Sequence, residues 1–244
     1  MENKLEVDPK VFQIYSLSEQ AVTIEFGDEI SENLLRQISN FNKTLHAYPF
    51  IGLKTTIPAY CTLTVVYDPL AVINSTLKGK NVFEKLVNYL NSLTEKLQHG
   101  SFSSGEIITI PVFYGDEFGP DIEEVASVNE LTVDEVIRLH TSVKYKVYMI
   151  GFVPGFAYLG GMSAKLISPR KGQPRAVIPA GSVGIAGQQT GIYPLETPGG
   201  WQIIGKSPVK LFDVLRSQPS LLKAGDEVIF TSITRQEFND YADN

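Results

Sequence analysis

Between Gly151 and Gly205 the sequence reads GFVPGFAYLGG, then MSAKLIS, then PRKGQPRAVIPAGSVGIAGQQTGIYPLETPGGWQIIG, and this stretch holds 12 of the chain's 20 glycines and six of its 14 prolines. Glycine serves where the backbone needs positive φ or must approach another group closely. Proline fixes φ and removes a donor. Apolar residues here never recur at three and four spacing without an intervening Gly or Pro, so an amphipathic helix cannot be drawn through the segment. The stretch therefore predicts short strands joined by tight, shaped loops.

Charge singles out the same region. From His140 to Lys210 there are eight basic residues (Lys144, Lys146, Lys165, Arg170, Lys171, Arg175, Lys206 and Lys210) against one acid, Glu196, in a chain whose formal net charge is −6. A local excess of about seven positive charges inside an acidic protein favours a small anion. Arg170 and Arg175 stand among prolines beside the glycine-rich loop, where a guanidinium fork suits carboxylate or phosphate. Two readings stand for them, anion contact and ordinary solvation; Lys144, Lys146 and Lys210 read as solvated.

The 244 residues, 43% of them hydrophobic, are enough for one large β-domain or two modest domains. A single cysteine, Cys61, excludes an internal disulfide and fits a reducing cytosol. No apolar run approaches the ~18 residues that span a bilayer, so the expectation is a cytoplasmic protein with no membrane partner. An acidic chain whose basic segment is rich in Gly and Pro is a poor nucleic-acid binder.

Along the chain, Val11–Ile14 and Ala21–Phe26 read as strands, followed by a helix capped by Ser31 with Leu34, Leu35, Ile38, Phe41 and Leu45 on one face. Gly52–Ile57 and Cys61–Asp68 read as strands, and Asn81–Gln98 as a second helix. This order predicts an α+β N-terminal sandwich domain over residues 1–100. The polar run His99–Gly105 is the connection. Beyond it, over 105–244, come a strand at Glu106–Tyr114, a short helix at Asp121–Val128, and a helix to His140 opened by the Thr132/Glu135 capping box. Tyr145–Phe152, Ile203, Leu211–Phe212 and Val228–Phe230 read as strands. Many short strands with two small helices predict a mainly-β domain closed as a barrel.

Candidate chemistry is sparse. No P-loop motif is present, and Gly181, Gly184 and Gly187 precede no helix that could supply a dipole, so they read as turn glycines. Ala180-Gly-Ser182-Val-Gly184 is close to a nucleophile elbow, but the sequel Ile-Ala-Gly-Gln-Gln cannot begin a helix, so Ser182 reads as a loop hydroxyl. His46, His99 and His140 have no second ligand at metal spacing, and no metal site is expected. His140, ending a helix just before the glycine-rich core, is either a dipole-complementing imidazolium or a general acid or base. Phe152, Phe156, Tyr158, Tyr193 and Trp201 read as core or pocket wall. Gln188, Gln189 and Thr190 either orient a ligand or are solvated loop.

The runs LHTSVKYKVYMIGFVPGFAYLGG and PRKGQPRAVIPAGSVGIAGQQTGIYPLETPGGWQIIGKSPVKLFD resemble the bacterial 5-oxoprolinase B-subunit family, also called allophanate hydrolase subunit 1. The likeness extends through VFYGDEFGPDIEEVA and, in the first half, EFG and IPAYCTLTVVYDP; Ser18-Glu-Gln20 departs from the family's usual Gly-Asp. The resemblance implies an N-terminal α/β domain and a cyclophilin-like β-barrel. It further implies that the chain works with the A and C subunits of 5-oxoprolinase, the C subunit being homologous to it, and that the three use ATP to hydrolyse 5-oxo-L-proline, a small anionic lactam, to L-glutamate. Carried over by motif position, His140 and Arg175 would be catalytic, and Phe152, Pro154, Phe156, Tyr158, Arg170, Gln188, Thr190, Tyr193 and Trp201 would bind substrate. Two other activities go with similar motifs: inhibition of histidine-kinase autophosphorylation, and the carboxyltransferase of an allophanate or urea system.

Overall fold

The structure, a computed structural model, describes residues 12–97 and 105–242. The chain divides into two compact units, Met1–Ser103 and Ser104–Asn244. The connection expected at His99–Gly105 lies outside the described residues but for Gly105.

In the first unit the strands are β1 (Gln13–Ser18), β2 (Ala21–Glu25), β3 (Leu53–Pro58) and β4 (Thr62–Tyr67), and they form one antiparallel sheet in the order β1-β2-β4-β3. Its helices are α1 (Glu32–Ala47), α2 (Pro69–Ile73) and α3 (Val82–Ser92). The Ser31 hydroxyl accepts from the Leu34 amide and opens α1, whose stripe of Leu35, Ile38, Phe41 and Leu45 is buried. Asn81 caps α3 in the same way. The helix ends earlier than its apolar pattern predicts: after Ser92 the chain tightens into a 3₁₀ turn, Leu93–Lys96, that still buries Leu93. The first strand begins at Gln13 and runs to Ser18, four residues past the end of the apolar run at Val11–Ile14, because the tight turn after Ser18 fixes its register on β2.

In the second unit the strands are β5 (Ile107–Tyr114), β6 (Lys144–Ile150), β7 (Ala157–Gly160), β8 (Arg175–Ile178), β9 (Ser182–Ala186), β10 (Gln189–Ile192), β11 (Thr197–Gly199), β12 (Gln202–Lys206) and β13 (Glu227–Ser232). The helices are α4 (Ile122–Val128), α5 (Val133–Thr141) and α6 (Arg235–Ala242). Seven strands close a barrel in the order β10-β7-β6-β13-β5-β12-β9, and β8 and β11 form a separate two-stranded ribbon. Thus the glycine-rich stretch builds six short strands, β7 to β12, with no helix beyond the three-residue turn Ala164–Leu166. The barrel is filled by Tyr145, Val147, Leu159, Ile185 and Phe230, all essentially inaccessible. The expected strand at Leu211–Phe212 is absent. Phe212 makes only an isolated bridge to Ser220, and its side chain instead backs the 151–156 loop. There Gly155 has φ of 82°, and a Cβ on it would lie 2.8 Å from the Cβ of Phe212, so both conformation and space require glycine.

Candidate functional site

The glycine-rich strands and their loops surround a cavity of about 250 Å³. Phe152 and Phe156 come from the loop before β7, Tyr158 from β7, Arg170 and Pro174 from the segment before β8, and Tyr193 from the end of β10. Pro198 and Gly199 from β11, with Gly200 and Trp201 from the link to β12, close it. Phe156 is the hub: its ring meets those of Phe152, Tyr158, Tyr193 and Trp201 edge-on, with centroids 4.9 to 5.6 Å away. Such tilted contacts lock ring orientations and give flat apolar walls. Gly199 is required by close approach, since a Cβ there would lie 2.5 Å from the Tyr193 hydroxyl. Burial pushes Tyr193 up to about 12 against the pull of a Trp201 backbone hydrogen bond and the charges of Arg170 and Arg175, so it is a neutral phenol at physiological pH. Phe152 holds φ of 71°, a left-handed conformation that is strained for an aromatic residue, and leaves 61% of its surface exposed.

Arg170 is the cation of this cavity. It is exposed, and among the described residues it makes no ion pair. Burial raises the Tyr158 phenol while the Arg170 charge pulls it back down, which places the guanidinium within electrostatic reach of the wall. Arg175, expected from the resemblance to be catalytic, is not among the residues that line this cavity. Its fork is filled by Asp121, with Nη1 donating to Oδ2 at 2.8 Å and Nη2 to Oδ1 at 2.7 Å. Lys171 also pairs with Asp121, at 2.9 Å, and with Glu124. Elsewhere in the basic segment Lys144 and Lys146 face Glu227, and Lys210 faces Asp213. Most of the local positive charge is thus neutralised by acids from other parts of the unit.

His140 is likewise not at the cavity. It is wholly buried, stacked on Phe230 with ring centroids 4.5 Å apart. Its protonation follows from its partners. Thr190 Oγ1 donates to the Gly184 carbonyl at 3.0 Å, so it must accept from His140 Nε2–H at 2.9 Å; Nδ1 then accepts from the Tyr114 hydroxyl at 2.8 Å. Desolvation lowers the imidazole to about 3, which fixes it neutral and excludes the dipole-complementing imidazolium. Thr190 is committed to the same buried relay and is not among the residues that line this cavity. Gln188 and Pro154 are exposed in loops outside the lining. Phe152, Phe156, Tyr158, Arg170, Tyr193 and Trp201 are brought together.

Pro174, Pro198, Gly199 and Gly200 complete the lining. All four lie in the stretch expected to form shaped turns, but their residue types carry no binding signal of their own. Among the described residues no group of three or more His, Cys, Asp or Glu could hold a metal ion, and no helix is long and apolar enough to cross a membrane.

The fold, with the family match that covers most of the chain, is that of a carboxyltransferase-type domain. The family model described as carboxyltransferase domain, subdomain C and D, matches residues 12–222, and the chain belongs to that family. Within it, the relatives include the 5-oxoprolinase B subunit of Bacillus subtilis (strain 168), 45% identical over 94% of this chain and 96% of its own, and that of Escherichia coli O157:H7, 38% identical over 88% and 94%. The chain is therefore a member of the 5-oxoprolinase B-subunit family. A solved structure of a conserved uncharacterized protein from Pyrococcus horikoshii is 42% identical, covers 93% of this chain and all of its own, and superimposes with a TM-score of 0.54. The crystal structure of TTHA0988 is 35% identical with a TM-score of 0.75, and this chain spans only 40% of its length.

Proposed function

We propose that this chain is the B subunit of an ATP-dependent 5-oxoprolinase, acting with the A and C subunits to open 5-oxo-L-proline to L-glutamate, and that the aromatic cavity receives the lactam. The observation that carries this reading is the pairing of flat aromatic walls with one guanidinium unclaimed by any ion pair among the described residues. A flat ring bearing one carboxylate matches that lining: the ring lies against Phe156, Tyr158 and Trp201, and the carboxylate meets Arg170. Neutral Tyr193 contributes a hydroxyl able to bond a carbonyl or ring N–H.

This chain's part is to bind, orient and keep water from the ring. ATP supplies a phosphoryl group for the lactam carbonyl oxygen, which opens that carbon to attack by water. With one arginine in its lining, the cavity suits a single carboxylate better than a triphosphate. Co-expression with the A and C subunits, followed by measurement of ATP-dependent glutamate release from 5-oxo-L-proline, tests the assignment. Activity that requires this chain supports it. A complete, folded mixture without activity refutes it, and inhibition of histidine-kinase autophosphorylation by the same chain points to the regulatory alternative.

A further inference from the structure

We propose that Asp121 sets the charge selectivity of the cavity: it occupies the fork of Arg175, leaves Arg170 as the cation facing the ligand, and so tunes the site to monocarboxylates over dicarboxylates. The inference rests on the reading of the cavity as the seat of a small carboxylate.

Arg175 stands at the cavity's edge. It follows Pro174 in sequence and is paired across the ribbon with Gly199, both of which are wall residues. Its charge is felt at Tyr193, another wall residue. A guanidinium so placed would be a second anion site if it were not already bonded. Asp121 holds it by two parallel hydrogen bonds, and is itself held by Lys171 Nζ at 2.9 Å and by the Ile203 amide donating to Oδ2 at 2.7 Å. The carboxylate is 3% exposed. Burial raises its titration, but the hydrogen bonds from Arg175, Lys171 and Ile203 outweigh that and keep it below the usual carboxylate range, so it stays ionised.

With Asp121 and Glu124 set against Lys171 and Arg175, the four charges cancel. A ligand's first carboxylate meets Arg170; a second finds no free cation and would shed its hydration uncompensated. Ring opening turns a lactam with one carboxylate into an acid with two. The same arrangement therefore favours substrate over product and helps the product leave.

The test uses the full chain, with quenching of its single tryptophan, Trp201, as the readout of binding. Probes are cyclopentanecarboxylate and glutarate. The wild type is expected to bind the monocarboxylate about tenfold more tightly. Asp121→Asn, which keeps an oxygen for the Ile203 amide but loses the charge, should shift the ratio about tenfold toward glutarate, an effect of one charge-assisted bond. Asp121→Glu should keep the wild-type ratio, and adding Arg175→Gln to Asp121→Asn should restore it. A purely structural brace would weaken both ligands together. A wild type that binds neither probe refutes the cavity reading and this inference with it. A wild type that binds the monocarboxylate but shows no preference over glutarate, or an Asp121→Asn ratio within twofold of wild type, refutes the selectivity role alone.

Discussion

The buried histidine gives the sharpest quantitative expectation. In the folded barrel His140 titrates at about 3, whereas an unfolded chain returns it to the ordinary 6.5. Between these values the unfolded state binds a proton that the native state refuses, so stability is fully present above 6.5 and is lost as pH falls toward 3. The slope is about 1.4 kcal/mol per pH unit, and from pH 7.5 to about 4.5 the sum is about 2.5 kcal/mol. With a urea m-value of about 1.5 kcal/mol/M the midpoint should fall by about 1.7 M. Trp201, the chain's single tryptophan, belongs to the barrel unit, so its fluorescence in urea follows that unit. The comparison is His140→Gln, whose amide can accept from Tyr114 and donate to Thr190 but does not titrate. Its intercept at pH 7.5 should drop by about 1–3 kcal/mol from lost packing and imperfect bonds. Carboxylates and the other histidines are common to both proteins, so the difference between the two curves isolates His140. Curves that run parallel from pH 7.5 to 4.5 would refute the buried neutral assignment.

Three further outcomes concern the cavity. Arg170→Ala should raise KM for 5-oxo-L-proline in the assembled enzyme about 10- to 100-fold with the urea midpoint unchanged, since the side chain is exposed; Arg170→Lys should recover part of the loss. Gly200→Ala should raise KM while stability stays within about 0.5 kcal/mol, measured by thermal melting: its backbone is outside the left-handed region, and the new methyl would sit 3.6 Å from the cavity residue Pro174. Phe152→Gly should relieve the left-handed strain and hold or raise the melting temperature, offsetting lost ring contact, while weakening binding of the same substrate; a marked drop in melting temperature would contradict the strain argument.

Much of the fold is legible in the sequence because local signals agree with burial. Ser31 ahead of a leucine stripe, and Thr132 with Glu135, both open helices with the side-chain bonds their spacing implies. Two helices escape an apolar-pattern reading although their start signals are present. Asp68 before Pro69 caps α2, and Thr234 with Glu237 repeats the capping box that opens α5. Both helices are short, and α6 is largely polar, so no apolar stripe announces them. The barrel's closure is not legible in strand order. Its parallel pair, Glu227 beside Ile107, joins residues far apart in sequence, and nothing local encodes that register. The placement of His140 is more readable than a helix-end argument allows. Val133, Val136, Ile137 and His140 fall at i, i+3, i+4 and i+7, so the imidazole lies on the helix's apolar face and points inward with Val136.

The site shows what a count of charges along a segment leaves out. Residues 140–210 look strongly cationic in one dimension, yet the acids that answer them, Asp121, Glu124, Asp213 and Glu227, all lie outside that window. Asp121 is 54 positions from Arg175, and only the folded unit brings the residue that precedes α4 to the guanidinium that begins β8. The charge that survives neutralisation at the cavity is Arg170. A single cation on an apolar aromatic wall discriminates more sharply than a broad positive field: the field attracts any anion, while the single fork rewards one carboxylate and leaves a second unpaired. Selectivity here therefore depends on the acid that removes a charge as much as on the arginine that offers one.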